Sequence, residues 1–395
     1  MNGEKPSVLL NRKDNRRQLF LVGSLTLLPS FGAWNVARLV IALILAFPIL
    51  LNRKIRLDRM LKKVFIPMIV SLILPIVAVF ICELSLDITS VVHEIERLLF
   101  YILVIYLCFH YEIDFEALFK IATVLFIVHL AIQILQFSGF QPVFDLIEKN
   151  YLQPGDSGIH LSLAKRQTLL DFRSGSIFMN PNVYMVIPCT YLGLVFQKLL
   201  KKPNILGYLL VASTVVSLLL TGSRTSIVVF FLILIMYLYN NNDYGRIKWI
   251  VLFPIFVLVI WVMFFSSLSE TYRAFDIASG LGGSFGAKIK LLGRYFLENN
   301  PLYFVTGSLG SNKSFSTDFE WGHIYSCFGI VGLIWYIRFL KVFKRNNTNY
   351  SFLCNSVLFI VLCIGLTASV VLCLPVFPFV CIVILPQIRD NSTAD

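Results

Sequence analysis

Residues 205–240 read ILGYLLVASTVVSLLLTGSRTSIVVFFLILIMYLYN, two continuous apolar runs separated by a short turn around Gly222. Neither run alternates apolar and polar residues, as a half-buried strand would. Each run approaches the roughly 20 residues with which a helix crosses a bilayer. The stretch therefore predicts two membrane helices joined by a tight turn at one face of the membrane.

The rest of the chain follows the same pattern. Of its 395 residues, 57% are hydrophobic and 14% are charged, which excludes a soluble globular domain and a disordered chain. We predict an all-α polytopic membrane protein in which residues 1–395 form a single membrane domain of about 12 transmembrane helices. The spans are predicted at 19–33, 35–51, 64–82, 95–109, 117–138, 175–197, 205–220, 224–240, 247–266, 322–340, 351–369 and 371–387. The first is predicted to be a retained helix rather than a cleaved signal, because a second span follows almost at once.

Basic residues orient these spans, since cytoplasmic loops are enriched in lysine and arginine. They concentrate in the N-terminal tail and in 52–63, 198–202, 246–248 and 338–345. About 12 spans place all of these segments, and both termini, in the cytoplasm. The loop 110–116 does not follow this rule, because it is acidic (Glu112, Asp114, Glu116) and yet is predicted on the cytoplasmic side. Acidic residues contribute little to the rule, so we keep the predicted orientation.

Two loops are much longer than the others, 139–174 and 267–321, and both are predicted on the outer side. The second contains Ala287–Leu297, which is typical of an interfacial amphipathic helix. Long external loops indicate external chemistry. Most of the net charge of +12 lies in short loops on the predicted cytoplasmic side, so we predict no nucleic-acid partner.

Cysteine and histidine give no metal signature in the sequence. The eight cysteines lie in or at the edge of apolar spans, without a CxxC or Cys/His zinc spacing, and the five histidines are scattered. We interpret the cysteines as small hydrophobic residues. We predict no metal ligands and no cofactor.

The first polar motif runs from Asp171 to Asn182. Asn180 is a good N-cap and Pro181 suits the first helical position, so a helix is predicted to begin here after an entering segment. Backbone at membrane depth that is not helical needs other partners or a cavity to line. Arg173 lies beside this break. The alternative is a simple capped helix start with Arg173 at the interface.

The second motif is the turn that ends in Ser223 and Arg224. Ser223 can cap the next helix, which places Arg224 at the positive end of the helix dipole. A guanidinium costs about 2.5–3.5 kcal/mol at mid-span, and no acidic neighbour offsets it here. A phosphate would offset it, because arginine binds phosphate in a bidentate manner and helix N–H groups add donors. The alternative is that Arg224 reaches into the lipid headgroups.

The third motif contains Asp318, Glu320 and His323. Glu320 and His323 are three residues apart and share a helix face. Glu320 could fix the tautomer of His323 and make it a general base. The opposite assignment, with Asp318 or Glu320 as the base and His323 as a hydrogen-bond donor, stays open. So does the view that these are interfacial polar residues flanking a span.

Three further arginines lie near the predicted outer ends of spans or in the second long loop. Arg294, followed by Asn299-Asn300-Pro301, is predicted at a docked helix end, and Arg273 is a weaker candidate. Arg97 is predicted to pair with Glu94 or Glu96, as a structural ion pair.

At these motifs the chain resembles the bacterial O-antigen polymerase and O-antigen ligase superfamily. The likeness covers roughly residues 115–345 and includes the order of the motifs and the two large outer loops. The similar pieces are Arg173-Ser-Gly-Ser-Ile-Phe-Met-Asn180-Pro181-Asn182, Leu220-Thr-Gly-Ser-Arg224-Thr, Gly293-Arg294 and His323-Ile-Tyr-Ser-Cys-Phe-Gly329-Ile-Val-Gly332.

The resemblance implies a metal-independent, inverting glycosyl transfer at the periplasmic face of the bacterial inner membrane. The donor would be an undecaprenyl-pyrophosphate-linked glycan, and the acceptor the terminal sugar of another. Arg173, Arg224 and Arg294 would hold the pyrophosphate, Asn180 and Asn182 would shape the helix break, and His323 or a neighbouring carboxylate would take the proton. The expected partners are this lipid-linked oligosaccharide, the lipid bilayer, a chain-length regulator and a flippase.

Three other functions are open to a chain of this kind. An O-antigen ligase would use the lipid A-core as acceptor; polymerase is favoured because the acceptor-side loops lack a plain ligase signature. A transporter or flippase predicts ionisable residues at mid-span and paired broken helices in two halves, whereas these spans are nearly free of charge. A non-catalytic membrane scaffold or receptor would need no arginine at a tight helix turn.

Overall fold

The computed structural model describes residues 12–29, 33–51, 59–82, 87–151, 161, 164–165, 172–178, 180–241, 290–291, 293–294, 297, 301–309, 320–346, 350–365 and 376–389. This part of the chain is mostly helical. The elements in chain order are α1 (Arg12–Ser24), a 3-10 turn (Leu25–Leu27), α2 (Ala33–Leu51), α3 (Arg59–Cys82), α4 (Ile88–His110), β1 (Glu112–Asp114), α5 (Phe115–Phe137), α6 (Gln141–Tyr151), α7 (Pro181–Tyr184), α8 (Val186–Lys201), α9 (Ile205–Leu220), α10 (Arg224–Asn240), α11 (Leu302–Thr306), α12 (Glu320–Asn346), α13 (Ser351–Gly365), α14 (Phe377–Ile384) and β2 (Gln387–Arg389).

Five helical stretches in the described residues are long and apolar enough to cross a membrane. They are Trp34–Leu51, Leu61–Ala78, Phe115–Phe137, Pro181–Lys201 and Glu320–Lys341. Several apolar side chains on α2 point away from the protein, with Ile44 63% and Phe47 56% exposed. An exposed apolar surface of this kind suits contact with lipid. The predicted helical class is confirmed for the described residues, and the apolar helices indicate a membrane protein.

The predicted bounds hold best where the apolar runs have clear stops. The spans 205–220 and 224–240 coincide with α9 and α10. The first span was placed too late in the chain: α1 begins at Arg12 because its Leu19 and Val22 are buried in the core, although its first turns are polar. Of the last predicted span, 371–387, the described residues contain α14 and the first residue of strand β2; residues 371–375 lie outside the described part. The span 247–266 lies outside the described residues.

One face of the molecule gathers the two strands and several ion pairs. β1 and β2 pair in parallel, joining the segment after α4 to the end of the described chain. Arg16 forms an ion pair with Asp114, and Lys198 Nζ lies 2.9 Å from Glu116 Oε2. The acidic loop 110–116 thus contacts basic residues of two segments that the charge rule places on its own side. The acidic residues of this loop pair with those basic residues, so the loop does not contradict the orientation predicted from the charges.

The opposite face carries α6, which lies within the predicted outer loop 139–174. A small buried cluster joins this helix to the segment before α7 and to the end of α9: Phe144, Ile147, Phe172 and Leu220. The Tyr151 hydroxyl donates to the Leu27 carbonyl oxygen at 2.7 Å. Burial raises the pKa of the Tyr151 phenol, and the Arg38 guanidinium opposes that shift. The described part of this loop therefore packs against the neighbouring helices.

Helix α12 is kinked, and a preceding segment fills the kink. Gly329 has φ 60°, and a β-carbon there would lie 2.3 Å from the Val305 carbonyl oxygen. The backbone N–H groups of Ser308 and Leu309 donate to the carbonyl oxygens of Ser326 and Cys327, each at 2.9 Å. Residues 307–309 therefore fix the first half of α12, where His323 lies.

Candidate functional site

The segment 172–178 runs into the helix layer without helical hydrogen bonds. Its residue Ser176 has φ 54°, a left-handed conformation that is uncommon outside glycine. The Ser174 N–H donates to the Leu220 carbonyl oxygen at 2.9 Å, and the Phe178 N–H closes a turn on the Gly175 carbonyl. This is the predicted entering segment, and it places Arg173 at its start.

A polar stripe on α5 holds this segment in place. His129, Gln133 and Gln136 are fully or almost fully buried and lie at i, i+4 and i+7, on one helix face. Gln133 Nε2 donates to the Ser174 carbonyl oxygen at 3.3 Å, and Gln136 Nε2 donates to the Ser176 carbonyl oxygen at 3.2 Å. The stripe supplies the hydrogen bonds that non-helical backbone needs at this depth.

The network continues into α9 and α7. The Ser217 hydroxyl donates to Gln133 Oε1 at 2.6 Å and lies 3.0 Å from the Tyr184 hydroxyl. His129 Nδ1 lies 3.2 Å from the Ser176 hydroxyl, while its Nε2 has no hydrogen-bond partner among the described residues. Sequence reasoning missed this stripe, although three polar residues at helical spacing inside an apolar span were a visible signal.

The predicted helix start is confirmed. Asn180 is the N-cap of α7, with its side-chain oxygen accepting from the Asn182 N–H at 2.9 Å, and Pro181 is the first helical residue. Arg173 Nη2 donates to Asn182 Oδ1 at 3.3 Å. The asparagines therefore do two different things: Asn180 begins the helix, and Asn182 positions the guanidinium of Arg173.

The structure brings the first two polar motifs together. Gly222 has φ 57°, and a β-carbon there would lie 2.9 Å from both Arg173 Cγ and the Phe172 carbonyl oxygen. Ser223 occupies the N-cap position of α10, but its hydroxyl donates to Met185 Sδ at 3.4 Å and not to the helix. Arg224 is the first residue of α10; its side chain lies outside the described part of the structure.

A second polar cluster surrounds His323. Arg97 Nη1 lies 2.9 Å from Glu94 Oε1, which confirms the predicted ion pair, and 2.9 Å from His323 Nε2. A guanidinium N–H can only donate, so Nε2 of His323 must accept. In this arrangement the ring is neutral and its proton is on Nδ1. Nε2 becomes available as a base only when Arg97 moves off it.

The neighbours of His323 differ from those the sequence suggested. Glu320, its predicted partner, is fully buried as the first residue of α12 and interacts electrostatically with the Tyr336 hydroxyl. The residues that contact His323 are Glu94 and Arg97 from α4, together with Cys327, whose Sγ lies 3.6 Å from Nε2. That Glu320 orients His323 stays a prediction.

The remaining candidates are placed less centrally or lie outside the described residues. Arg294 is exposed, beside an exposed Gly293. The described positions of the predicted amphipathic helix, among them Lys290 and Leu297, are helical. Asp318 and Arg273 lie outside the described residues.

Together these features describe a mostly helical protein whose apolar helices suit a membrane. It carries two polar clusters, one around Arg173 and the turn at Gly222, the other around His323. Comparisons with protein-family models, with curated proteins and with solved structures give no match to this chain.

Proposed function

We propose that this protein is a polysaccharide repeat-unit polymerase of the O-antigen type. It would transfer a growing undecaprenyl-pyrophosphate-linked glycan onto another lipid-linked repeat unit. About 12 spans, cytoplasmic termini and a site at the periplasmic face of the bacterial inner membrane belong to the same proposal. A chain-length regulator and a flippase are its expected partners.

The observation that carries the proposal is the contact between Arg173 and the turn at Gly222. Two motifs separated by some forty residues in the chain, about two membrane crossings, meet at one point. There Arg173 is held by Asn182, beside the start of α10, whose N-cap side chain is turned away from the helix. A guanidinium next to a helix N-terminus, whose first N–H groups have no partner within the helix, suits a pyrophosphate.

The proposed glycosyl transfer needs few further groups from the protein. The acceptor hydroxyl attacks the anomeric carbon, the bond from that carbon to the pyrophosphate breaks, and the configuration inverts. Arg173, with Arg224 at the start of α10, would stabilise the charge on the departing pyrophosphate. His323 would take the proton on Nε2 after Arg97 has moved away; Asp318 or Glu320 is the alternative base.

The polar stripe on α5 favours this proposal over a transporter. Intramembrane polar residues often mark a transport path. Here Gln133 and Gln136 instead bond to the backbone of segment 172–178, which accounts for their presence. Their role is to hold the segment that carries Arg173.

The test is the ladder of polysaccharide bands on a gel. Cells that lack this gene are complemented with the wild type or with Arg173→Ala, with equal amounts of each protein in the membrane. Wild type should restore the ladder and Arg173→Ala should leave a single repeat on the lipid A-core. Lys165→Ala is the matched control, because Lys165 is a partly exposed cation of the same loop that pairs with Glu148. It should restore the ladder fully.

Other outcomes separate the alternatives. Loss of all capping, with long polymer accumulating on the lipid carrier, would identify a ligase. A normal ladder in cells that lack the gene would remove the basis for a glycan-transferring enzyme. A full ladder from Arg173→Ala would exclude Arg173 from the site.

A further inference from the structure

Three side chains with metal-ligating atoms meet between α4 and α12. Glu94, His323 and Cys327 each offer one such atom, and these atoms lie within 4.8 Å of one another. Glu94 Oε1 is 3.8 Å and Cys327 Sγ 3.6 Å from His323 Nε2. Bonds of about 2.0–2.3 Å to a tetrahedral zinc ion place neighbouring ligand atoms about 3.3–3.8 Å apart. Two of the separations thus already have the size of a zinc site.

The helices fix these three residues with respect to one another. His323 and Cys327 are four residues apart and share a face of α12. The carbonyl of Cys327 is held by residue 309, just before the kink at Gly329. Glu94 reaches them from α4. The three ligands thus sit on two helices, one of which is held in place by the 307–309 segment.

Glu94 gives an independent indication of a missing ligand. Its side chain is only 7% exposed, and Oε2 has no hydrogen-bond partner among the described residues. A buried carboxylate oxygen without a partner is unfavourable. Oε1 lies against Arg97 and His323, and a metal ion bound through both carboxylate oxygens would give Oε2 a partner as well.

Arg97 occupies the cation position at present. Its Nη1 lies 2.9 Å from both Glu94 Oε1 and His323 Nε2, the two atoms that an ion would bind. Its side chain is 25% exposed, so it has a path to solvent when another cation enters. Arginine and metal ion would therefore compete for the same two ligand atoms.

We propose that Glu94, His323 and Cys327 bind one zinc-class divalent ion, which displaces Arg97 from His323. A carboxylate, an imidazole and a thiolate favour Zn²⁺ over Mg²⁺ or Ca²⁺, which prefer oxygen ligands. On binding, the Cys327 thiol loses its proton to solvent, and water fills the fourth position. Metal binding does not rest on the proposed glycosyl transfer; while the ion occupies Nε2, His323 cannot act as the base, and that role falls to the alternative, Asp318 or Glu320.

The experiment uses Co²⁺ as a spectroscopic probe on the purified full-length protein in detergent. Thiolate coordination gives a charge-transfer band in the near ultraviolet, which Zn²⁺ then removes by displacement. Wild type should show the band at equimolar cobalt, and Cys327→Ser should lose it. Cys354→Ser, which alters another buried cysteine on α13, is the matched control and should keep it.

The variant Arg97→Gln distinguishes the loss of a competing cation from damage to the fold. Removing the competing guanidinium should tighten cobalt binding several-fold, whereas damage to the fold would weaken it. Absence of the band from both wild type and Arg97→Gln, or its persistence in Cys327→Ser, would overturn the proposal. Either result leaves the polysaccharide ladder, and with it the proposed function, to be judged separately.

Discussion

Gly222 is the residue at which the two halves of the proposed anion site touch. Alanine there would need a left-handed φ and would place its methyl carbon 2.9 Å from Arg173 Cγ and the Phe172 carbonyl oxygen. We expect Gly222→Ala to destabilise the protein by about 1–3 kcal/mol and to displace Arg173. The measurements are the midpoint of thermal unfolding in detergent and the polysaccharide ladder in complemented cells.

The control for this substitution is Gly293→Ala. An added β-carbon at Gly293 meets nothing within 4 Å, and the residue is exposed. Its unfolding midpoint should match that of the wild type. A Gly222→Ala protein that behaves in the same way would show that the contact with Arg173 has no influence on the site.

At the scale of single residues, the sequence correctly predicts features that depend on residues only a few positions apart. Asn180 as N-cap and Pro181 as first helical residue follow from backbone chemistry within a few positions, and the structure agrees. The pair Arg97–Glu94 spans one helical turn and was also predictable. The contact of Arg97 with His323 joins residues 226 positions apart, so no spacing rule within the sequence could reveal it.

Helix α5 is the element on which the entering segment depends. Gln133 donates to the carbonyl oxygens of Ser174 and Ser217 and accepts from the Ser217 hydroxyl. Replacement by leucine roughly keeps the volume and removes all three hydrogen bonds, at a cost of about 1–3 kcal/mol. We expect Gln133→Leu to lower the unfolding midpoint and to expose segment 172–178 to limited proteolysis.

The matched control is the same substitution at Gln141, which is exposed on α6 and bonds to Asp145 at the surface. Gln141→Leu should change stability by no more than about 0.5 kcal/mol. If both variants are equally stable and equally resistant to protease, the stripe on α5 does not hold the segment, and Arg173 would need another support.

Element bounds show why apolar runs predict some helices better than others. Residues 205–220 and 224–240 are separated by a glycine turn, and both helices were placed correctly. The apolar run predicts α1 too late because the first turns of this helix are polar; there Asn15 donates to the Glu112 carbonyl oxygen and Arg16 pairs with Asp114. The span predicted from 175 begins as a helix at Pro181, since hydropathy does not distinguish a buried non-helical segment from a helix.

Over the whole molecule, the ion pairs and the segment that carries Arg173 lie at opposite ends of the helices. Arg16, Asp114, Glu116 and Lys198 meet on the face that carries the two strands. Segment 172–178, the turn at Gly222 and helix α6 pack together through Phe172 and Leu220 at the other ends of helices α5 and α9. The acidic loop 110–116, which seemed inconsistent with the charge rule, is explained by its partners. Only the folded chain reveals that they are its neighbours.

This arrangement predicts which residues share a compartment. Single cysteines introduced at Glu116, at Lys202 and at Asp145, all exposed, can be labelled with a membrane-impermeant maleimide in spheroplasts, using the unaltered chain as background. Asp145→Cys should react in intact spheroplasts, whereas Glu116→Cys and Lys202→Cys should react only after the membrane is disrupted. Reaction of Glu116→Cys without Lys202→Cys would contradict the shared face. Reaction of both without Asp145→Cys would keep the shared face, reverse the orientation, and place the Arg173 site in the cytoplasm, away from the periplasmic glycan that the proposed polymerase requires.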